Sequence, residues 1–416
     1  MSKLPEKWKI LSIGDFAKTS AGGTPSTQIQ EYWEGGDIPW MSSGEVHKKR
    51  VFAVDGRITQ SGYGNSSAKL FPPKTILMAL AGQGKTRGTV AISEIELTTN
   101  QSIAGISVTA KNVSPDFVYH NLDSRYDELR GVSGGSGRAG LNLTIINEQE
   151  LLLPPLPEQK KIAAILTSVD DVIEKTQAQI DKLKDLKTGM MQELLTRGVG
   201  VDGKPHTEFK DSPMGRIPKG WNCCLLDKVA KRGSGHTPDK KKPEYWNDGI
   251  KWVSLTDSSK LDKLYISETA KKISQLGIEN SSATLHPKGT VVMARDAGVG
   301  KSAIMTSSMA VSQHFMAWVC GEKLDNYFLY YLLQHWKPQF EAIAMGSTIK
   351  TIGLPYFKKL QIPVPSVEEQ RVISGALNSV DNKMFALERK HKQLTSTKKA
   401  LMQDLLTGKV RVKVDS

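Results

Sequence analysis

The feature that most constrains this chain is that it is written twice. "PEKWKILSIGDFAKTSAGGTP" from Pro5 resembles "PKGWNCCLLDKVAKRGSGHTP" from Pro218, aligning Trp8 with Trp221 and Thr24-Pro25 with Thr237-Pro238. Tyr32-Trp33 and Trp40 then match Tyr245-Trp246 and Trp252, and "NSSA" stands at both 65–68 and 280–283. Further on, Thr75, Met78 and Ala79 recur as Thr290, Met293 and Ala294. Phe117, Tyr119 and Leu122 recur as Phe328, Tyr330 and Leu333. Each half carries a Glu-Gln pair, 158–159 and 369–370, and closes on "MQELLT" at 191–196 or "MQDLLT" at 402–407. A period above two hundred residues is a whole-domain duplication; solenoids repeat every 20 to 50 or so. Any fold for this chain must therefore be built as two similar halves.

Each half divides in two. The first part, about 150 residues, alternates short β-branched and aromatic runs with Gly/Pro/Asn turns, the pattern of a mixed α/β domain. A helix is expected near 115–130, with Ser114 as N-cap and Pro115 at its first position, and again at about 326–342. The second part is one long helix. From Lys160 to about Thr196 there is no proline and one glycine. Apolar side chains fall at Ile162, Leu166, Val169, Ile173, Ile180, Leu183, Met190 and Leu194. The second copy supplies Ile373, Leu377, Val380, Met384, Leu387, Leu394, Leu401 and Leu405. Thr176 and Lys187, then His391 and Lys398, interrupt an otherwise strict 4,3 spacing. Five such heptads specify a coiled-coil stripe. Because one helix ends where the linker begins and the other begins where the second domain ends, the two must run antiparallel to bury their stripes on each other. Some 37 residues would span about 55 Å at 1.5 Å per residue. The expected architecture is α+β with a pseudo-two-fold internal repeat: a domain over 1–153, a helix over 154–198, a linker over 199–217, a second domain over 218–364, a helix over 365–408 and a tail over 409–416.

Charge narrows the partners. Lys and Arg number 56 against 43 Asp and Glu, a formal +13. Residues 158–197 are neutral and 369–408 carry +3, so +10 lies elsewhere. Basic clusters occur at 47–50, 84–87, 230–232 and 239–242. Matching basic loops in both halves point toward a polyanion, with Lys and Arg on phosphates and loop side chains on base edges. The three cysteines show neither zinc nor disulfide spacing, and no apolar run approaches membrane-spanning length, so a cytoplasmic location is expected.

Several motifs look catalytic and are not. "ALAGQGKT" at 79–86 and "ARDAGVGKS" at 294–302 both end like phosphate-binding loops. The strict pattern needs a glycine where Ala79 and Arg295 stand, so a Gly-rich turn between two strands fits better; a nucleotide-binding enzyme is the rival reading. "GSGRAG" at 135–140 fits G-x-G-x-x-G but sits between an expected helix and "LNLTII", read as a strand. "GVSGG" at 131–135 fails as a nucleophile elbow on the same context. No metal-ligand spacing and no Asn/Asp-Pro-Pro-Tyr/Phe tetrapeptide of amino-methyltransferases is present.

The stretches "GGTPS…YWEGGDIPW" and "GHTPD…YWNDGIKW", the duplicated Gly-Lys turns, and "PPLPEQKKIAAIL" or "PVPSVEEQRVISGAL" before each helix resemble the specificity subunit of type I restriction–modification systems. The resemblance covers about 95% of the chain. It implies two target recognition domains that each read half of a bipartite, asymmetric DNA sequence. It implies helices that set the spacer and dock methyltransferase subunits, usually two. It further implies S-adenosylmethionine in those partners, motor–nuclease subunits in the complete assembly, and no catalysis or cofactor in this subunit. DNA contact is then expected at Lys48, Lys49, Arg50, Lys85, Arg87 and Arg138 in the first domain. In the second it is expected at Arg232, Lys240, Lys241, Arg295, Lys301 and Lys350. Trp8, Trp40, Trp221 and Trp252 read as core rather than as base-stacking platforms.

Overall fold

A computed structural model describes residues 5–82, 84–132, 140–346 and 350–414. The chain forms two compact units. One comprises Met1–Thr176 with Lys390–Ser416, the other Gln177–Arg389. Each unit thus holds one mixed domain and a half of each long helix.

In the first unit the strand order is Ala17–Ala21, Ile103–Val108, Ile76–Ala79, Val90–Ser93, Arg50–Val51. All neighbours are antiparallel except the last pair, where Arg50 lies parallel to Ile92. The inner strands "ILMA" and "VAIS" are buried at every position, which is why they read as continuous apolar runs and not as alternating ones. A smaller sheet sets Ile38–Met41 between Gly56–Ile58 and Thr98–Thr99. The second unit repeats the plan: Ala230–Ser234, Phe315–Cys320, Val291–Ala294, Ser302–Met305 and Tyr265–Ile266, with a four-stranded sheet beside it.

The Gly-Lys stretches join antiparallel strands in both units. In the first, Gly82, Gly84 and Gly88 take φ of 130°, 74° and 79°, so glycine serves the turn. A phosphate loop would have to open a helix, and neither turn does. Ser114 caps a helix over Pro115–Ser124, and Asp325 caps its counterpart over Asn326–His335. The single helices expected at 115–130 and 326–342 are each broken in two, at Arg125 and Trp336, and continue as Tyr126–Val132 and Lys337–Ile343. A second expectation also fails. "LNLTII" is not a strand: Asn142 accepts a hydrogen bond from Ile145 N and starts a short helix over Leu143–Asn147. The alternation of Leu141, Leu143 and Ile145 has the period of a strand, but the capping side chain decided the conformation. The G-x-G-x-x-G stretch still lacks a preceding strand, and its residues 135–139 lie outside the described ones.

The long helices run over Leu156–Thr196 and Val367–Leu405. Within the first unit, Glu158 meets Arg411 and Asp170 meets Lys398, while Ile162 and Leu166 share a core with Met402 and Leu405. Within the second, Lys187 meets Asp381, Val199 N reaches Glu369, and Leu195 shares a core with Ile373 and Leu377. In both, residue numbers on one helix rise as those of the partner fall, so the helices are antiparallel. All sixteen stripe positions named above are buried or half-buried, and most positions between them are exposed. Lys187 and Lys398, which break the apolar spacing, are the seam cations. Lys187 Nζ lies 2.7 Å and 2.9 Å from the Asp381 carboxylate oxygens, and Tyr331 donates to that carboxylate at 2.8 Å. Lys398 Nζ lies 2.7 Å from Asp170 and 3.1 Å from Asp123. Burial opposes charge on Lys398, yet the two carboxylates hold its pKa above the ordinary lysine value. Thr176 is buried with its hydroxyl on Val172 O, and His391 is half-buried.

The recurrent Glu-Gln pair fastens each domain to its helix. Buried Glu158 accepts from Trp8 Nε1 at 3.2 Å and from the Arg411 guanidinium at 2.6 Å and 2.8 Å. Buried Glu369 accepts from Trp221 Nε1 at 3.0 Å, Val199 N at 3.2 Å and His206 Nε2 at 2.8 Å. Gln159 accepts from Ser114 N and donates to Pro154 O; Gln370 does the same with Asp325 N and Pro365 O. Trp8 and Trp221 are therefore structural, at 3% and 0% exposure.

Candidate nucleic-acid interface

At one edge of each domain three loops meet. In the first domain Gly22 N donates to Ile103 O and Gly23 N to Thr99 O, which lays the "GGTP" segment across the turn at 100–102. Leu80 N donates to Ser102 O, bringing in the Gly-Lys turn. The second domain repeats the frame: His236 N donates to Val311 O and Arg295 N to His314 O. Close approach makes the leading glycines obligatory. A Cβ on Gly22 would sit 2.1 Å from Thr99 Oγ1, and one on Gly235 would sit 1.6 Å from Val311 O. Steric exclusion at this distance leaves no other residue for the position.

Tryptophans pin the same segments. Trp40 Nε1 donates to Gly23 O at 3.0 Å and Trp33 Nε1 to Ser26 O at 3.1 Å, the two rings meeting edge-on at 5.0 Å. Trp252 and Trp246 do likewise with His236 O and Asp239 O, their rings 5.1 Å apart. The indoles are spent holding loops. On the exposed rim, Thr24 donates to Gln101 Oε1, and Thr237 donates to Gln313 Oε1 at 2.6 Å. These two Thr–Gln pairs occupy matching positions, and each leaves a carboxamide NH2 on an exposed residue. Sequence reading noted the recurrent Thr-Pro but not the recurrent Gln, which stands in a short turn without periodicity.

The twelve expected contact residues fall into distinct settings. Lys85 is exposed at the tip of the first Gly-Lys turn, its carbonyl bonded by Tyr126 OH and Thr89 Oγ1. Arg87, half-buried behind it, reaches Arg130 O. Lys240 and Lys241 are exposed just beyond Thr237, and Lys350 is exposed beside Thr351, which bridges to Asp296. Lys301 is half-buried, 3.5 Å from Ser258 Oγ. Arg295 is turned inward: Nε donates to Ile352 O and NH1 to Gln313 O, so it braces the loops. Arg138 lies outside the described residues.

The 47–50 cluster and Arg232 stand apart. Lys48 pairs with Glu45 at 2.7 Å, Lys49 with Asp123, and Arg232 with both oxygens of Asp227. Arg50, 15% exposed, bonds Glu94, Asp116 at 2.8 Å and Thr167 Oγ1 at 2.9 Å. Burial alone would raise the Asp116 pKa, but Arg50 and Lys74 hold it below the usual carboxylate range. Arg50 is thus a structural cation joining the sheet edge to the long helix; its run of basic neighbours carried no signal of the acidic residues that fold onto it.

The described residues contain no group of three or more His, Cys, Asp or Glu able to hold a metal. Among the described residues no helix is long and apolar enough to cross a membrane. What the loop edge offers is a set of hydrogen-bonded loop groups flanked by exposed lysines, a surface suited to phosphates and base edges.

Comparison with known proteins identifies the family. The type I restriction–modification DNA specificity domain matches residues 5–185 and again 218–395. The chain belongs to this family. As a specificity subunit it supplies DNA recognition to a type I restriction–modification complex and carries neither catalysis nor a cofactor of its own. It is 27% identical to the MjaVIII type I restriction enzyme specificity subunit of Methanocaldococcus jannaschii, covering 99% of this chain and 95% of the relative. The MjaIX specificity subunit of the same organism is 25% identical, with 99% and 95% covered. The crystal structure of the type I system S subunit from M. genitalium superposes with a TM-score of 0.63 at 14% identity, covering 97% of both chains, so the fold is shared.

Proposed function

We propose that each domain of this specificity subunit reads one half of a bipartite, asymmetric DNA target through its three-loop edge. The long helices fix the spacer between the halves and dock two methyltransferase subunits. Those partners bring S-adenosylmethionine and the adenine chemistry, and motor–nuclease subunits complete the cytoplasmic assembly. The observation that carries the reading is the duplicated loop frame: the same backbone bonds and Thr–Gln pairs recur, while the side chains around them differ. A common frame with unlike side chains is what two related readers of unlike sequences require. Lys85, Lys240, Lys241, Lys301 and Lys350 contact phosphates, with Arg87 supporting the turn and Arg295 bracing its loops. Joining two modest readers in one chain raises affinity through effective concentration.

The test is binding of the purified subunit, with its methyltransferase partner, to duplex DNA over a salt series. Specific binding weakens with a log–log slope near −0.9 per phosphate contacted. A flat slope refutes DNA reading by the loop edges. For the spacer, deleting one heptad from both helices shortens the preferred gap between half-sites; an unchanged gap refutes the helices' role.

A further inference from the structure

The two loop edges differ in one built feature. In the second domain Asp296 and His314 face each other across the Gly-Lys turn, with His314 Nδ1 2.7 Å from Asp296 Oδ2. The equivalent positions in the first domain are Ala81 and Ser102, which have no charge and no ring. Asp296 is 8% exposed; its other oxygen, Oδ1, is buried without a hydrogen bond, with the Arg295 guanidinium 3.8 Å away as its ion pair. A buried carboxylate is kept only with partners, and Asp296 has Arg295 and His314. Here it has one strong hydrogen bond, and that bond goes to a ring on the rim. His314 is half-exposed and directly follows Gln313, whose carboxamide is set by Thr237. Lys240, Lys241 and Lys350 are exposed on the flanking loops.

We propose that His314, positioned by Asp296, reads a base edge for the second half-site, a specificity device the first domain lacks. This rests on the DNA-reading role of the loop edge. The carboxylate accepts from Nδ1–H and so fixes the tautomer. Nε2 then carries a lone pair toward the groove. An acceptor in the major groove pairs with an exocyclic amine, adenine N6 or cytosine N4. The shared Thr–Gln pairs serve whatever the two half-sites have in common; the Asp–His pair serves what distinguishes the second.

The experiment selects bound duplexes from a random library using the subunit with its methyltransferase partner, for the wild type and for His314→Ala, His314→Gln and Asp296→Asn. The wild type enriches two half-sites. His314→Ala loses preference at one position of one half, leaves the other half intact, and binds the wild-type duplex about ten-fold more weakly or worse. His314→Gln, which keeps an acceptor, restores part of that preference. Asp296→Asn donates to Nδ1, turns Nε2 into a donor and moves the preference toward guanine. An unchanged motif in His314→Ala overturns the proposal, as does equal loss in both halves. If the wild type enriches no motif, the loop-edge reading itself fails and the proposal falls with it.

Discussion

Replacing Lys187 by methionine tests whether the ion pairs in the helix seam hold it together. Lys187 and Asp381 are 20% and 16% exposed, so solvent screens them only partly. At 2.7 Å and an effective dielectric of about 20, their attraction is about 6 kcal/mol gross. Desolvation of two ions and ordering of the lysine chain offset more than half of that. Removing the lysine leaves Asp381 with Tyr331 as its hydrogen-bond donor, which is not enough for a half-buried carboxylate. The expected loss for Lys187→Met is about 2–3 kcal/mol, discounted from the 3–5 kcal/mol of a fully buried broken pair. Asp381→Leu should cost a similar amount because it strands the lysine, whereas the double variant should recover most of the loss. The assay is urea unfolding followed by circular dichroism, with midpoint and slope fitted for the wild type and all three variants. A coupling energy within 0.5 kcal/mol of zero, against the roughly 2 kcal/mol expected, would refute the argument that the seam cation is paired.

Three further outcomes follow from the same structure. His120 is fully buried, and burial with nearby Lys398 and Arg50 pushes its pKa down to about 3 from 6.5, so it folds neutral. The unfolded chain takes the proton first, so stability is present above pH 6.5 and lost below it, by about 2 kcal/mol at pH 5; His120→Gln should remove that part of the acid dependence in unfolding titrations. Gly235→Ala places a methyl 1.6 Å from Val311 O and should disorder the second loop edge; the measured result is loss of one half-site with the other retained, and a fully active variant contradicts the packing. Lys85→Ala should lower the magnitude of the salt slope by about 0.9 while changing no nucleotide binding, since calorimetry with ATP on the wild type is expected to be blank.

Much of the molecule is legible in the sequence because the relevant signals are local. The duplication, the apolar stripe from Ile162 to Leu194 and from Ile373 to Leu405, the Ser114–Pro115 start and the glycine turns each follow from side-chain size, period or backbone φ. The linker order alone required antiparallel helices. Even the interruptions at Lys187 and Lys398 were visible, but their partners were not. Asp381 and Asp170 reach them only because the antiparallel register places helix against helix, and register depends on contacts nearly two hundred residues apart or more.

The same physical reason explains the rest. "LNLTII" misled because strand and helix faces look alike over six residues until the Asn142 cap is seen. The 47–50 cluster shows only its charge in the sequence, because charge counts a residue's sign and not its neighbours; Glu94 and Asp116 reach Arg50 through the fold. The Asp296–His314 pair left no trace, since neither residue type nor spacing marks two side chains brought together by a hairpin and a turn. Sequence determined the elements, their duplication and the direction of the helices, because propensity and periodicity act between near neighbours. Tertiary structure alone decided which charges are paired inside and which stay exposed on the loops, because that is a property of distances no single stretch of chain contains.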